Sequence, residues 1–534
     1  MSPLQNGNFR TLWGATLISN LGGLIQTVGA GWMMTQISDS KDLVAFVQAA
    51  NTLPVMLFSL AAGALADNLD RRRIMLVAQG LMMVVSAVLA YLAFAGQMTP
   101  WLLLAFTFMI GCGTALHNPS WQASMGDIVP RDDIPQAVSL NAMSYNIMRS
   151  IGPALGGVIV AVSGAAVAFL LNAISYVPLI YAMFRWKHRR PPSTIPREHF
   201  GSAMGAGLRY MLMSPNLMKV LSRGCLFGTG AVSVMALMPV IARDTLNGGA
   251  LTYGLLLGSF GVGAIGAAVM NSRLRERFRS ETIVRGAFLG FALSVVVLAY
   301  SNFVALTCLF LFLSGACWVL ALSLFNVTVQ LSTPRWVVGR ALALYQMATF
   351  GGMTLGSWIW GVAAEHLGVS TALILTSLTL LVGAAVGLRF PLPGLVALDL
   401  DPLKFREPEL LLDLKLRSGP IMIMVDYIIE QKDVDDFLAV MAERRRARIR
   451  DGARQWALLR DLENPALWTE SYHFPTWVDY IRHNQRRTIA DQEITEKLRK
   501  LHKGPELPRV HRMIERQTVP AHDDMPLKHA NDVP

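Results

Sequence analysis

The stretch NIMRSIGPALGGVIVAVSG, residues 146–164, places Arg149, Gly152, Pro153, Gly156 and Gly157 inside one long apolar run. In a water-soluble helix the Gly-Pro cluster would be a break, because proline removes a backbone donor and crowds the preceding turn. In a bilayer the cluster is tolerated, but an arginine at mid-depth costs about 3 kcal/mol or more unless something solvates it. Which solvent surrounds this stretch decides the fold.

Composition answers for lipid. The chain has 534 residues, 53% hydrophobic and only 16% charged, with mean hydropathy +0.41, far from the balance of a soluble globular chain. Apolar segments of about 20 residues, the length that crosses the hydrocarbon core as helix, occur at 11–36, 43–66, 74–95, 101–125, 137–162, 166–185, 217–242, 251–271, 283–301, 303–330, 341–363 and 369–390. They predict an all-α membrane protein with twelve transmembrane helices. The first segment is too long for a signal peptide and follows no basic stretch, so it is expected to remain as a span.

Arginine and lysine crowd the even-numbered connections: Arg71, Arg72 and Arg73, then Arg131, then Arg185 to Arg197, then Arg273 to Arg279, then Arg335. The other side carries little beyond Lys41 and Arg243. The positive-inside rule then places the even connections and both termini in the cytoplasm of a multi-pass protein of the cell membrane. Residues 1–395 hold 24 basic and 12 acidic side chains, against 23 and 24 in 396–534. The net charge of +11 therefore reports topology, and nucleic acid is not an expected partner. Cys112, Cys225, Cys308 and Cys317 all fall inside spans, which favours small buried residues over disulfides or a metal site. No cofactor is expected.

The chain repeats itself. At an offset of 204, Gly111 meets Gly315, Pro130 meets Pro334, Leu140 meets Leu344, and Gly152, Gly157 and Gly164 meet Gly356, Gly361 and Gly368; Arg71 and Arg73 meet Arg275 and Arg277. Two parallel six-helix repeats are expected, an N-terminal bundle at 1–186 and a C-terminal bundle at 216–392, joined by a cytoplasmic linker at 187–215 that contains the Pro-rich RRPPSTIPREHF. Parallel repeats of this kind build transporters whose pathway runs between the halves.

The segment GALADNLDRRRI, residues 63–74, puts Gly63 at the exit of the second span and Asp67 one helical turn later, followed by Arg71, Arg72 and Arg73. A carboxylate among arginines at a helix end can lock one half against the other as a cytoplasmic gate; the alternative is a topogenic basic loop. This segment resembles the signature loop between the second and third helices of the major facilitator superfamily, with Asn68 and Asp70 departing from it. GPALGG, containing Gly152, Pro153, Gly156 and Gly157, resembles the core of the antiporter motif of drug exporters, a helix-packing hinge, with Ser139 and Met148 replacing upstream glycines. The wider run NPSWQASMGDIVPRDDIPQAVSLNAMSYNIMRSIGPALGG, residues 118–157, is similar to the enterobactin-exporter and transmembrane secretion effector subfamily, over most of 1–390.

Arg149 falls about 20 Å into its span at 1.5 Å per residue, and an ionisable group at that depth points to a wet cavity or an anionic substrate. Asn20, Gln26, Gln48, Asn51, His117, Asn118 and Gln346 are further polar positions on helices that, in the resembled fold, line the central cavity. For each lone amide an interhelical hydrogen bond is the competing assignment, and His117 reads equally as a proton-linked group or as a packing residue. No deep Asp or Glu and no nucleotide-binding loop of the G-x-x-x-x-G-K-[ST] type occurs in the spans.

Past Pro393 the pattern changes. A linker at 393–417 leads to a strand PIMIMVDYIIE, a helix with Val434, Phe437, Leu438 and Met441 on its apolar face, strands ARQWALLRD and LWTESYHF, helical segments to about 502 and a last strand near PRVHRMIER. This β-α-β-β-α-β order predicts a cytoplasmic α+β ferredoxin-like domain at 418–518, followed by a disordered tail at 519–534. It is similar to the dimeric α/β barrels of the antibiotic-biosynthesis monooxygenase type, which implies homodimerisation. No catalytic triad stands out, and the chain is read as a non-enzyme; His473 with Trp456 or Tyr472 could line a small pocket, but aromatics in strands more often belong to the core.

Three functions stay open. The first is an exporter of small organic molecules (siderophores, secondary metabolites or drugs) by alternating access, coupled to protons or another ion. The second is a carrier fused to an enzymatic domain, and the third a transport-inactive relative acting as scaffold or sensor.

Overall fold

The structure, a computed structural model, describes residues 3–130, 133–186, 200–334, 336–392 and, of 403–515, all but 404, 406, 407 and 409. Arg131, Arg335, the hinge at 187–199 and the tail 519–534 lie outside the described residues, as do the side chains of Asp67, Asn68 and Ser139. Residues 1–200, 216–329 and 342–395 form one compact unit, and residues 201–215, 330–341 and 396–534 a second.

In the first unit the helices are α1 (Gly7–Ile37), α2 (Lys41–Asn68), α3 (Arg71–Phe94), α4 (Pro100–Ile128), α5 (Ile134–Ser163) and α6 (Ala165–Arg185). After a thirteen-residue helix α7 (Phe200–Leu212) come α8 (Pro215–Val240), α9 (Ala250–Arg277), α10 (Ser280–Tyr300), α11 (Val304–Leu331), α12 (Val338–Leu367) and α13 (Val369–Arg389). Among the described residues, nine of these helices are long and apolar enough to cross a membrane. Local chemistry sets several starts: Asn6 accepts from the amides of Asn8 and Phe9 at α1, Asp70 from Arg72 at α3, and Thr99 precedes Pro100 at α4. All four cysteines are free thiols.

Equivalent positions of the two halves make equivalent contacts. Gly164 and Gly368, both at positive φ (82° and 87°), turn the chain from α5 into α6 and from α12 into α13, where only glycine adopts the angle without strain. Gly111 of α4 lies against the backbone of α2, and Gly315 of α11 against that of α9. Gly157 of α5 meets Gly254 of α9, while Gly361 of α12 meets Asp42 and Ala45 of α2, so the halves cross twice in the same way.

Two sequence expectations need correction. The offset of 204 does not hold throughout: α3 starts at Arg71 but α10 at Ser280, an offset of 209, so Arg275 and Arg277 end α9 and are not the counterparts of Arg71 and Arg73. The register returns to 204 because α10 is three residues shorter than α3 and the following loop two residues shorter. The interval 187–215 is also not plain linker, since it contains α7, whose buried Ala206, Tyr210 and Met211 alternate with exposed Leu208 and Leu212.

The second unit is built on a four-stranded antiparallel sheet in the order β2-β3-β1-β4, with β1 (Ile421–Ile428), β2 (Arg454–Arg460), β3 (Leu467–Phe474) and β4 (Arg509–Ile514). Helices α14 (Val434–Arg450), α15 (Trp477–Arg486) and α16 (Ile489–Leu501) complete it. Alternation along β1 buries Ile421, Ile423, Val425 and Tyr427 in a core with Phe437, Met441, Tyr472, Phe474 and Tyr480. Register pairs Val425 with Glu470 and Met424 with Ser471, so Met422, Met424, Leu459 and Met513 fall on the opposite face. Residues 201–215 and 330–341 join this unit through aromatic contacts: Arg450 lies over Tyr210 (5.0 Å), Arg486 over Trp336 (4.3 Å), and Tyr210 meets Trp336 edge-on at 5.7 Å.

Candidate transport site

Arg149 sits halfway along α5, fifteen residues after its start, and its guanidinium carbon stands 5.4 Å from the ring centroid of Trp318, halfway along α11. The pair therefore bridges the two halves of the bundle. Among the described residues no carboxylate lies within ion-pair distance of Arg149. Pro153 adds to the polarity, since the amide it lacks is the one that would bond the carbonyl of Arg149 four residues earlier. Around this turn Gly152 packs on Leu24 and Gly156 on Ile25 and Val28 of α1. The repeat does not reproduce the pair: the counterparts of Arg149 and Trp318 are Met353 and Thr114.

The other expected pathway residues divide into two groups. Gln26 is buried and accepts from Ser86 (2.9 Å) and from Asn172, tying α1 to α3 and α6. His117 is buried beside Gln79, Nδ1 to Nε2 3.2 Å, tying α4 to α3. Asn20, Gln48, Asn51 and Gln346 are half-buried and Asn118 exposed, and none of these five side chains has a hydrogen-bond partner among the described residues. The structure thus gives Gln26 and His117 interhelical bonds and leaves the other five side chains accessible.

At the end of the bundle where α1 turns into α2, the halves are tied together. Arg243 donates to the carbonyl of Thr35 and lies 3.8 Å from Asp39, the Lys41 amide donates to Glu365 (2.8 Å), and Trp32 stacks on Tyr253. Farther along, Thr52 and Thr354 share a hydrogen bond of 2.9 Å between α2 and α12. At the other end, Gly63 has open space where a Cβ would be. Arg71 pairs with Asp127 of α4 (2.8 Å), and Arg72 donates to the carbonyls of Met183 and Phe184 at the end of α6. Arg73 is exposed, 3.7 Å from Asp70. These contacts of the three arginines stay within the first half.

Sequence reasoning missed Arg223. It is fully buried in α8 and donates to both oxygens of Glu281 (2.8 and 2.7 Å), which also accepts from the Leu392 amide after α13. At the register of 209, Glu281 is the counterpart of Arg72. Each ties the start of its half's third helix to the end of the sixth, with opposite charge. Partners 58 residues apart on different helices leave no local signal.

In the tail, His473 and Tyr472 are neighbours on β3 and so point to opposite faces; Tyr472 lies in the core and lines no pocket with His473. The polar cluster lies elsewhere. The buried stripe of α14 runs Val434, Phe437, Met441, Arg444, Arg448, two cations in phase with the apolar residues, whereas Leu438 is exposed. Arg444 binds the buried Glu470 at 2.8 Å, and Trp456 donates to it at 3.1 Å. Burial alone would raise the Glu470 carboxyl, but Arg444 and Arg448 outweigh it and hold it below the usual range. His483 accepts from Arg448 (2.9 Å), and burial together with that cation pushes its pKa well down, so the ring stays neutral.

Two equivalent helical halves meeting along α2–α12 and α5–α9 around a mid-depth arginine have the architecture of a facilitator-type membrane transporter. Residues 1–519 match the profile of the transmembrane secretion effector family, and the chain belongs to that family of the major facilitator superfamily. It is similar to the staphyloferrin A transporter of Staphylococcus aureus (24% identity, covering 65% of this chain and 87% of that one). It is also similar to the multidrug efflux pump Tap of Mycolicibacterium fortuitum (24%; 75% and 99%) and macrolide efflux protein A of Streptococcus pyogenes (26%; 47% and 66%). Among solved structures it shares its fold with the POT family transporter PepTSo (TM-score 0.60, 12% identity, covering 72% of this chain and 97% of that one). An inward-facing, occupied bacterial homologue of the lysosomal transporter Spinster gives a TM-score of 0.58 at 11% identity, covering 73% and 98%. The chain is a membrane transporter of small molecules.

Proposed function

We propose that this protein exports small organic molecules of the siderophore, secondary-metabolite or drug class by alternating access between its two six-helix halves. The observation that carries the reading is Arg149: a cation at mid-depth, facing the opposite half and without a carboxylate partner among the described residues. Such a group recognises anionic or hydrogen-bond-accepting cargo. Relatives named for staphyloferrin, macrolide and multidrug transport support the cargo class. Twelve spans, cytoplasmic termini and a cytoplasmic sheet domain follow from the positive-inside pattern. The tied end at Thr35, Lys41 and Glu365 is then external, and Asp67 with Arg71 belongs to the cytoplasmic gate. A proton or other ion gradient drives the cycle.

The test is uptake into inverted membrane vesicles containing the protein, using a labelled macrolide and a labelled carboxylate siderophore. Energised vesicles should accumulate at least one of them above vesicles lacking the chain, and an ionophore should collapse the accumulation. Correctly inserted protein that accumulates neither would remove the export assignment.

The tail is proposed as a ferredoxin-like, non-catalytic dimerisation domain. Its strand order supports the fold, and its helix-free sheet face carries Met422, Met424, half-exposed Leu459 and Met513 beside the Asp426–His511 pair, a mixed surface suited to a second copy. Light scattering on the full chain in detergent should give the mass of a dimer, reduced to a monomer by Leu459→Lys with Met513→Lys. A wild-type monomer would contradict dimerisation.

A further inference from the structure

Between α14, α15 and α16 lies a cavity of about 20 Å³ that opens to solvent, lined by Arg444, Arg448, Asp451, His483, Arg487 and Asp491. Its charges do not balance locally. Glu470, beneath it, is shared by two cations, with Arg444 at 2.8 Å and Arg448 standing off at 3.5 Å. The Nε of Arg448 is buried and finds no hydrogen-bond acceptor. Asp451 and Asp491 are both committed to Arg450 (2.9 and 3.1 Å), and Asp491 also caps α16 through Thr488. The neutral His483 supplies no countercharge. Arg487 is left with Thr495 as its side-chain partner (3.2 Å) and no carboxylate among the described residues.

We propose that this pocket binds the carboxylate group of a small organic acid. The room is that of about one water-sized group, which suits a carboxylate entering end-on with the rest of the acid outside. With Nη1 of Arg448 held by His483 and its Nε turned to Glu470, the Nη2 of Arg448 and the guanidinium of Arg487 are the donors left for two carboxylate oxygens, a planar arrangement that a spherical ion does not match. Burial together with the neighbouring Arg448 and Arg444 lowers the Arg487 pKa, as expected where like charges converge on one pocket. The acidic wall of the pocket also orients Arg450, which stacks on Tyr210 of α7, so a bound acid sits one ion pair from a segment connecting the two halves of the carrier.

The experiment is calorimetric titration of the full chain in detergent with acetate, using chloride at matched ionic strength as control. Acetate should bind saturably and chloride should not. Arg487→Gln should weaken acetate binding at least tenfold, Arg487→Lys less, and unliganded Arg487→Gln should unfold at or above the wild-type temperature because a repulsive cation is gone. Absence of saturable acetate binding by the wild type overturns the site, as does equal binding by Arg487→Gln. A variant that unfolds earlier with and without acetate would make Arg487 a purely structural residue and overturn it too.

Discussion

Arg149→Ala is expected to lower transport about ten- to a hundredfold while the protein still inserts and stays monodisperse in detergent. A hydrogen bond to a charged group contributes about 1.5–3 kcal/mol, and truncation removes it together with the contact to Trp318. Arg149→Lys keeps the charge and the ring contact but loses the planar donor fork, so it should retain partial transport. If the arginine were instead a structural cation, Arg149→Ala would aggregate, because removing a buried charge exposes the cost of its unpaired partners. Full transport by folded Arg149→Ala would remove the residue from the mechanism.

Stability should respond most to the ion pair of the second half. Glu281→Gln leaves Arg223 fully buried without its countercharge, and breaking a buried pair costs about 3–5 kcal/mol. Nε and Nη2 of Arg223 already lack hydrogen-bond partners, so the pair has no reserve. The variant should show a markedly lower unfolding temperature, and the double variant Arg223→Met with Glu281→Gln should recover most of the loss by leaving an apolar side chain against Phe288. A double variant as unstable as the single one would mean that Glu281 acts through the Leu392 amide instead.

The contrast between these two arginines shows what the sequence could tell. Arg149 was legible because a charge within an apolar run is anomalous on its face. Arg223 is fully buried near one end of α8, but its partner is on another helix, and only packing reveals the pair. Spans were legible because apolar length is a physical threshold, and the tail strands because alternation is local; β1, β2, β3 and β4 lie within two residues of the expected segments at every end. The repeat was misread at Arg275 because a compensated deletion across α10 and its loop is invisible to a single offset. Helix α7 was hidden behind a Pro-rich segment. Arg444 and Arg448 were passed over, although their spacing from Phe437 and Met441 puts them on the same buried stripe of α14.

Alternating access requires the tied end of the bundle to open. Cysteines at Lys41 and Glu365, introduced with the four native cysteines replaced by serine, would sit on opposite halves where the Lys41 amide meets the Glu365 carboxylate at 2.8 Å. The decisive measurement is transport by vesicles in which a short, cleavable bis-thiol reagent bridges these two positions. Transport should stop when the bridge forms and return when it is cleaved; undiminished transport by fully bridged protein would contradict export by movement of the two halves.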